Sequence, residues 1–317
     1  MTRLARSDAA SRHAYLPPMP SRPVPPRALF LVNPEARRAG QGYEAAARRL
    51  EELGLRVVLE LAGRPEDVPG QVLRHRNGVD LVIVGGGDGT LHLALQGLVE
   101  ATLPLGIIPL GTANNLARTL GIPADPLEAC EVVAHGHRRP IDLGLVNGRH
   151  FFTTASIGLS VRITEELSAE SKRRWGPLAY GLAALRVARR SHPFRARIRW
   201  SGGTRDTRTV QIVVGNGRYY GAAMPVAEDA TIDDARLDLY SLEVRHWWQL
   251  LALAPALKRG SHGEKKTVEA LRATEFEIET RTPMDIDVDG ELGGRTPAHV
   301  RVVPRALEVF VPLPRIA

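Results

Sequence analysis

The chain has 317 residues, of which 44% are hydrophobic and 24% charged, with a formal net charge of +7; such a length holds two domains with separate cores. The arginine surplus suits an anionic partner and says nothing about fold. The single cysteine, Cys130, excludes an internal disulfide and a cysteine-built metal cage, which points to a reducing, cytoplasmic setting, and no stretch reaches the roughly 18 unbroken apolar residues that a spanning helix needs.

In chain order, residues 1–26 carry six prolines and four arginines against Asp8 and read as a disordered, solvated arm, with a weak electrostatic tether as its functional alternative. ALFLVN from Ala28 predicts a short strand, 43–53 a helix stopped by Gly54, and LRVVLEL a second strand. A helix over 66–76, irregular at Pro69, precedes an apolar strand over 80–84 that runs into GGGDGT. A helix, the strand LGIIPL and a second loop, GTANN, follow. Alternating strands and helices predict a parallel sheet covered on both faces. Ligands of such sheets bind beyond the carboxyl ends of the strands, so the polar loops 33–40, 85–90 and 111–115 should converge.

After Asp142 the period changes to two. FRARIRW, TVQIVVGNG, RLDLYSL, TEFEIET and MDIDVDGE alternate between turns, which predicts antiparallel sheet. Helices are expected over 177–190 and about 247–258, and the last segment, ALEVFVP, is a strand that returns to the first domain. The fold class is therefore α/β with a second, β-rich domain. The boundaries are an arm at 1–26, a first domain at 27–141 plus about 305–317, and a second domain at 142–304.

GGGDGT joins a strand to a helix, so its amides and the positive helix end can face an anion. It lacks the lysine of a P-loop, and Leu91 or His92 stands where a dinucleotide fingerprint needs its third glycine. A carboxylate inside an anion-binding loop is the puzzle, and a cap for its own helix is the plain account of Asp88. PLGTANNLAR repeats the design, with Gly111 and Thr112 at another strand-to-helix junction. In MDIDVDGE, alternation puts Asp285, Asp287 and Asp289 on one strand face with Ile286 and Val288 on the other. The run imitates half an EF-hand, but Thr296 stands where the twelfth-position glutamate belongs.

Asn33 with Pro34, GGDGT at 86–90, PLGTANNLAR at 109–118, GNGRYYGAAM at 215–224 and DGE at 289–291 occur in the order found in the diacylglycerol kinase catalytic domain family. The chain resembles that family, in particular its soluble bacterial lipid kinases, over about 290 residues, everything beyond the arm. The resemblance implies a phosphofructokinase-like, Rossmann-type nucleotide domain joined to a β-sandwich, with ATP and a lipid hydroxyl meeting in the cleft between them. It also implies that Asn33, Pro34, Gly86, Gly87, Asp88, Gly89, Thr90, Gly111, Thr112 and Asn114 line the nucleotide, with Asp88 on catalytic Mg²⁺. Glu291 would be the general base, Asp289 would orient it, and TIDDARLDLY would hold a structural Mg²⁺ through the Asp234 carboxylate and the carbonyls of Thr231 and Arg236. Departures from the family pattern fall at His92, Asn115, Ala222, Ala223, Glu228 and Ala235, and Ala62 and Gly63 stand where a nucleotide-touching threonine is expected. The missing charge at Asn115 points to altered metal handling or phosphate-donor preference.

A lipid kinase works as a peripheral protein at the inner membrane surface. FRARIRW offers Arg195, Arg197 and Arg199 on one face, and with Arg186, Arg189, Arg190 and the cluster 172–174 they can bind anionic headgroups. Solvated faces paired with local acids are the competing account. HWWQLLALAPAL reads as a buried helix interrupted at Pro255, with an interfacial segment as its alternative. The expected partners are a lipid substrate, the anionic membrane and, as an allowed arrangement, a second copy in a homodimer; nucleic acid is not among them. NAD kinase shares the GGDGT loop, but its characteristic Asn-Glu pair occurs nowhere in this chain. A non-catalytic nucleotide- or lipid-binding regulator is the remaining alternative.

Overall fold

The structure is a computed structural model that describes residues 25–34, 36, 42–166, 186–187, 189–217, 219–220, 224–225, 231–244, 249 and 268–314. Outside the described residues lie most of the arm, loop positions 35 and 37–41, the cluster 172–174, most of the helix expected over 177–190, and all but Gln249 of the one expected over 247–258.

The first half is built from β1 (Arg27–Val32), α1 (Gly42–Glu52), β2 (Arg56–Leu61), α2 (Val68–His75), β3 (Leu81–Gly86), α3 (Asp88–Ala101), β4 (Leu105–Pro109), α4 (Asn115–Thr119) and α5 (Pro126–His135). The helix expected over 66–76 divides into a 3₁₀ turn at Pro65–Asp67 and α2, and Pro69 lies in the first turn of α2, where proline is tolerated, so the irregularity falls before it. The second half contains β5 (His137–Val146), β6 (Arg149–Phe151), β7 (Thr154–Gly158), α6 (Leu159–Glu166), β8 (Phe194–Trp200), β9 (Gly203–Thr209) and β10 (Gln211–Gly215). It continues with β11 (Tyr219–Tyr220), β12 (Met224–Pro225), β13 (Leu237–Leu242), β14 (Val268–Ala273), β15 (Glu275–Thr280), β16 (Asp285–Val288), β17 (Glu291–Arg295) and β18 (Ala298–Val311).

Strands β2, β1, β3 and β4 pair in parallel, in that order. Leu29, Phe30, Leu31, Ile83, Leu105 and Ile107, drawn from both faces of these strands, are fully buried, as are Leu91, Leu95 and Leu98 of α3. Each such side chain contributes about 1.5–3 kcal/mol relative to exposure. The sheet does not end there: β18 lies parallel to β4 through Val309 and antiparallel to β5, and it carries the order on through β15, β8 and β9. A second sheet, in the order β14-β13-β10-β7-β16-β17, faces the far half of the first. Between them Ala155, Ile157, Ile212, Val214, Ile278, Ile286, Val288 and Val300 form the sandwich core.

The β5–β18 register breaks between Val303 and Leu307, where Arg305 takes a left-handed φ of 53°. Asp142 holds that break. Its Oδ1 accepts the Arg305 amide at 2.8 Å and its Oδ2 the amide of Ala235, also left-handed, at 2.6 Å. One buried carboxylate thus satisfies two backbone donors that irregular chain would otherwise leave unpaired.

Candidate functional site

The two glycine loops meet backbone to backbone. A Cβ on Gly111 would lie 2.5 Å from the Gly87 Cα, so only glycine fits, and the Leu110 amide donates to the Gly86 carbonyl. Asn114, left-handed at φ 49°, closes the second loop by accepting the Gly111 amide and donating to its carbonyl, both at 3.1 Å. Asn33 joins from β1: its amide donates to the Gly85 carbonyl and its side chain to Thr90 Oγ1 at 3.3 Å. Pro34 follows in the same loop, and Thr112 is exposed at the mouth of the second loop.

Asp88 answers its own puzzle in part. It opens α3 but caps a different helix: its two oxygens accept the Asn115 and Leu116 amides at 3.0 and 3.2 Å, the first donors of α4. Gly87, at the N-cap of α3, makes no side-chain cap bond, which leaves the positive end of α3 toward the loops. Burial holds the Asp88 carboxyl above its ordinary value, the two amides pull against this, and the charge of Asp289 raises it further. The charges of Asp88 and Asp289 thus act on each other across the seam between the halves.

MDIDVDGE alternates only as far as Val288. Ile286 and Val288 enter the sandwich core, and Asp287 is buried on the opposite face with its Oδ1 accepting the Gly290 amide at 3.0 Å. Asp289 then turns left-handed at φ 51° and leaves the strand. Its carboxylate accepts the amides of Phe152, Thr153 and Thr154 at 2.8, 2.9 and 3.0 Å and the Thr153 hydroxyl at 2.6 Å. Across the seam, His92 Nδ1 lies 3.4 Å from Asp289 Oδ2. Burial pushes the Asp289 carboxyl up, yet His92, the Thr153 hydroxyl and the Thr154 amide outweigh it and hold it below its ordinary value. Glu291 opens β17, exposed beyond Asp289, and its charge reaches His92.

Asp234 stands apart, in the turn before β13. Its carboxylate accepts the amides of Thr231 and Arg236 at 3.4 and 3.1 Å, and the turn is tied to β5 by the Asp142 contacts with Ile232 and Ala235. Thus the predicted residues of the loops, with Asp289 and Glu291, gather at one seam, while Thr231, Asp234 and Arg236 form a second place. Thr153 and Asp142 are participants that motif spacing does not single out, whereas His92, the last residue of the stretch 86–92 that the resemblance sets along the nucleotide, turns instead to Asp289. Asp289 and Thr153 are 136 positions apart.

Residues 27–146 match a family model for the diacylglycerol kinase catalytic domain, and residues 153–311 match one for the YegS C-terminal NAD kinase beta sandwich-like domain. The chain belongs to the diacylglycerol kinase catalytic domain family. At the level of the family, this supports a lipid kinase. A diacylglycerol kinase of Staphylococcus aureus strain bovine RF122 / ET3-1 is 28% identical over 273 residues, 86% of this chain and 83% of the relative. A crystal structure from Bacillus anthracis str. Sterne, of a protein provisionally called a diacylglycerol kinase, has a TM-score of 0.79 at 26% identity, over 90% of this chain and 97% of the other. A second structure from that organism, of a diacylglycerol kinase, shares the fold with a TM-score of 0.71 at 22% identity, over 92% and 98%.

A Cβ on Gly89, in the first turn of α3, would meet nothing within 4 Å, so room is left against the helix end. Beside Asp88, the Asn115 Oδ1 atom is buried and finds no donor among the described residues. A hard cation with its own waters suits that donor set. Among the described residues, no group of three His, Cys, Asp or Glu side chains forms a closed metal cage, and no helix is long and apolar enough to cross a membrane.

Proposed function

We propose that this kinase transfers the γ-phosphoryl group of ATP, with Mg²⁺, to the hydroxyl of a diacylglycerol-like lipid, and that Glu291 is the general base. One observation carries the reading: the DGE turn abuts the helix opened by the glycine loop, with Asp289 in contact with His92 and in electrostatic range of Asp88. Glu291 accepts the proton of the acceptor hydroxyl. The hydroxyl oxygen then forms the new bond to the γ-phosphorus as the bond to the β,γ-bridging oxygen breaks and ADP leaves. Asp289 serves this step by fixing the turn from which Glu291 projects. The amides at the start of α3 and of the second loop bind phosphate oxygens, and Asp88, with water and phosphate oxygens, is the residue that would hold the cation. When bound, Mg²⁺ supplies positive charge against the spreading charge of the transferred group.

A structural Mg²⁺ on the turn of Thr231, Asp234 and Arg236 belongs to the same reading. So does peripheral contact with an anionic membrane, supported by the basic end of the β8–β9 hairpin. The test is transfer of labelled γ-phosphate from ATP with Mg²⁺ to a panel of glycerolipids and sphingoid bases in mixed micelles, with NAD as control acceptor. The wild type labels a lipid. Glu291→Gln lowers kcat by about 10² to 10⁴ and leaves ATP binding in place. Label in NAD and in no lipid would overturn the reading.

A further inference from the structure

Three side chains of α3 stand in one row at intervals of four, the spacing that stacks residues on a helix face. Asp88 reaches the amides of α4, His92 reaches Asp289, and Gln96 exchanges contacts with His150 of β6: its Nε2 donates to the His150 carbonyl at 3.3 Å and its Oε1 lies 3.1 Å from His150 Nδ1. The last two are polar rungs from the nucleotide half to the sandwich half. Asp289 is already fixed to its own half by the four donors of residues 152–154. What His92 adds is the link across the seam, at the residue two places before the proposed base.

We propose that His92 is a positioning residue of the phosphoryl-transfer site, its protonated ring clamping Asp289, and with it the Glu291 turn, against the helix opened by the glycine loop. The inference rests on the reading of Glu291 as base. The charged groups facing the ring are Asp289 from the β16–β17 turn, Glu291 from β17 and Arg149 from β6; Asp88 precedes it by one turn of its own helix. Burial disfavours the charged imidazole, but contact with Asp289 and the charge of Glu291 outweigh both burial and Arg149 and raise its ionisation above the ordinary value of 6.5. His150, on the second rung, is shifted the other way by burial and Arg301, so the two rungs titrate apart. The charged clamp is complete below pH 6.5 and is lost as the pH climbs through the raised value, so a rate that depends on it falls on the alkaline side.

Two measurements on the full chain test this. In the lipid phosphorylation assay, Glu291 is kept and kcat is followed from pH 6 to 9. The wild type declines on the alkaline side. His92→Gln keeps a donor without charge; its kcat is about tenfold lower at the acid end, its KM for ATP is little changed, and the decline is absent. His92→Lys keeps the charge throughout and retains the acid-end rate without the decline. A His92→Gln variant with wild-type rate and wild-type profile would overturn the proposal. Independently of any activity, NMR titration of the imidazole carbons should give His92 a midpoint above 6.5 that falls in Glu291→Gln, whose exposed side chain is no part of the core. A midpoint at or below 6.5 in the wild type overturns the clamp even if the kinase reading stands; a raised midpoint in a chain that phosphorylates no lipid upholds the charged contact and removes the kinase reading.

Discussion

Asp289 shows how one residue can be both structural and tied to chemistry. A left-handed aspartate is uncommon, and here it turns the carboxylate from the strand onto three amides and a hydroxyl of residues 152–154. Because its ionisation is held below the ordinary value, its contribution to stability is present above about pH 4 and is lost as the pH falls through the lower folded value. Asp289→Asn keeps one acceptor but places an amide donor among buried donors, so a loss of about 2–4 kcal/mol is expected. Part of the wild-type decline in acid should vanish with it. Urea titrations of both proteins at pH 3 and pH 7 measure this: an equal pH dependence would show that Asp289 is not the group concerned. The sequence announces Asp289 and Glu291 through the DGE motif. It does not announce Phe152 to Thr154, which no local pattern marks as partners of an acid so far along the chain.

At the scale of elements, the site is two strand-to-helix loops that touch through glycine backbones, and the glycines divide into two kinds. Gly111 is needed for packing, because its Cβ would strike the Gly87 Cα at 2.5 Å. Gly89 is spacious, with nothing within 4 Å of its Cβ position. Gly111→Ala should therefore push the loops apart, cost about 1–3 kcal/mol and weaken nucleotide binding. Gly89→Ala should leave stability unchanged or raise it by up to about 1 kcal/mol, since alanine favours a helix, while its methyl group enters the ligand's room and weakens ATP binding. Thermal melts with and without Mg²⁺-ATP separate the two; similar melting losses in both variants would contradict the division. The loops and their convergence are legible because glycines at strand ends follow a short-range rule. The cap of α4 by Asp88 is not, since it joins residues 27 positions apart. Helix α5 illustrates the reverse: Asp125 accepts the Leu127 and Glu128 amides before Pro126 opens the helix, a start signal that the chain-order expectations pass over.

For the whole molecule, the change of hydrophobic period after Asp142 makes the second, β-rich half legible, whereas the shared sheet is not. Period two tells which residues face a core, but β18 joins β4 to β15 through register partners far apart in sequence. The same long-range pairing decides which arginines remain for a membrane. Arg197 and Arg199 of β8 face outward as the alternation predicts, yet Arg197 pairs with Asp206, and Arg199 with Glu277 and Glu279, on neighbouring strands. Arg195 instead lies directly opposite Arg208 in the β8–β9 register, both exposed and with no ion-pair partner among the described residues. Like charges opposed across a strand pair are unfavourable in water, and an anionic surface would relieve them. The proposed membrane contact therefore narrows to this end of the hairpin. Arg195→Glu/Arg208→Glu should lower co-sedimentation with phosphatidylglycerol vesicles by about tenfold at low salt, whereas Arg197→Ala/Arg199→Ala, which removes cations already paired, should change it by less than about threefold. Both differences should shrink at high salt as screening weakens the attraction, and an equal response of the two double variants would place the contact elsewhere on the molecule.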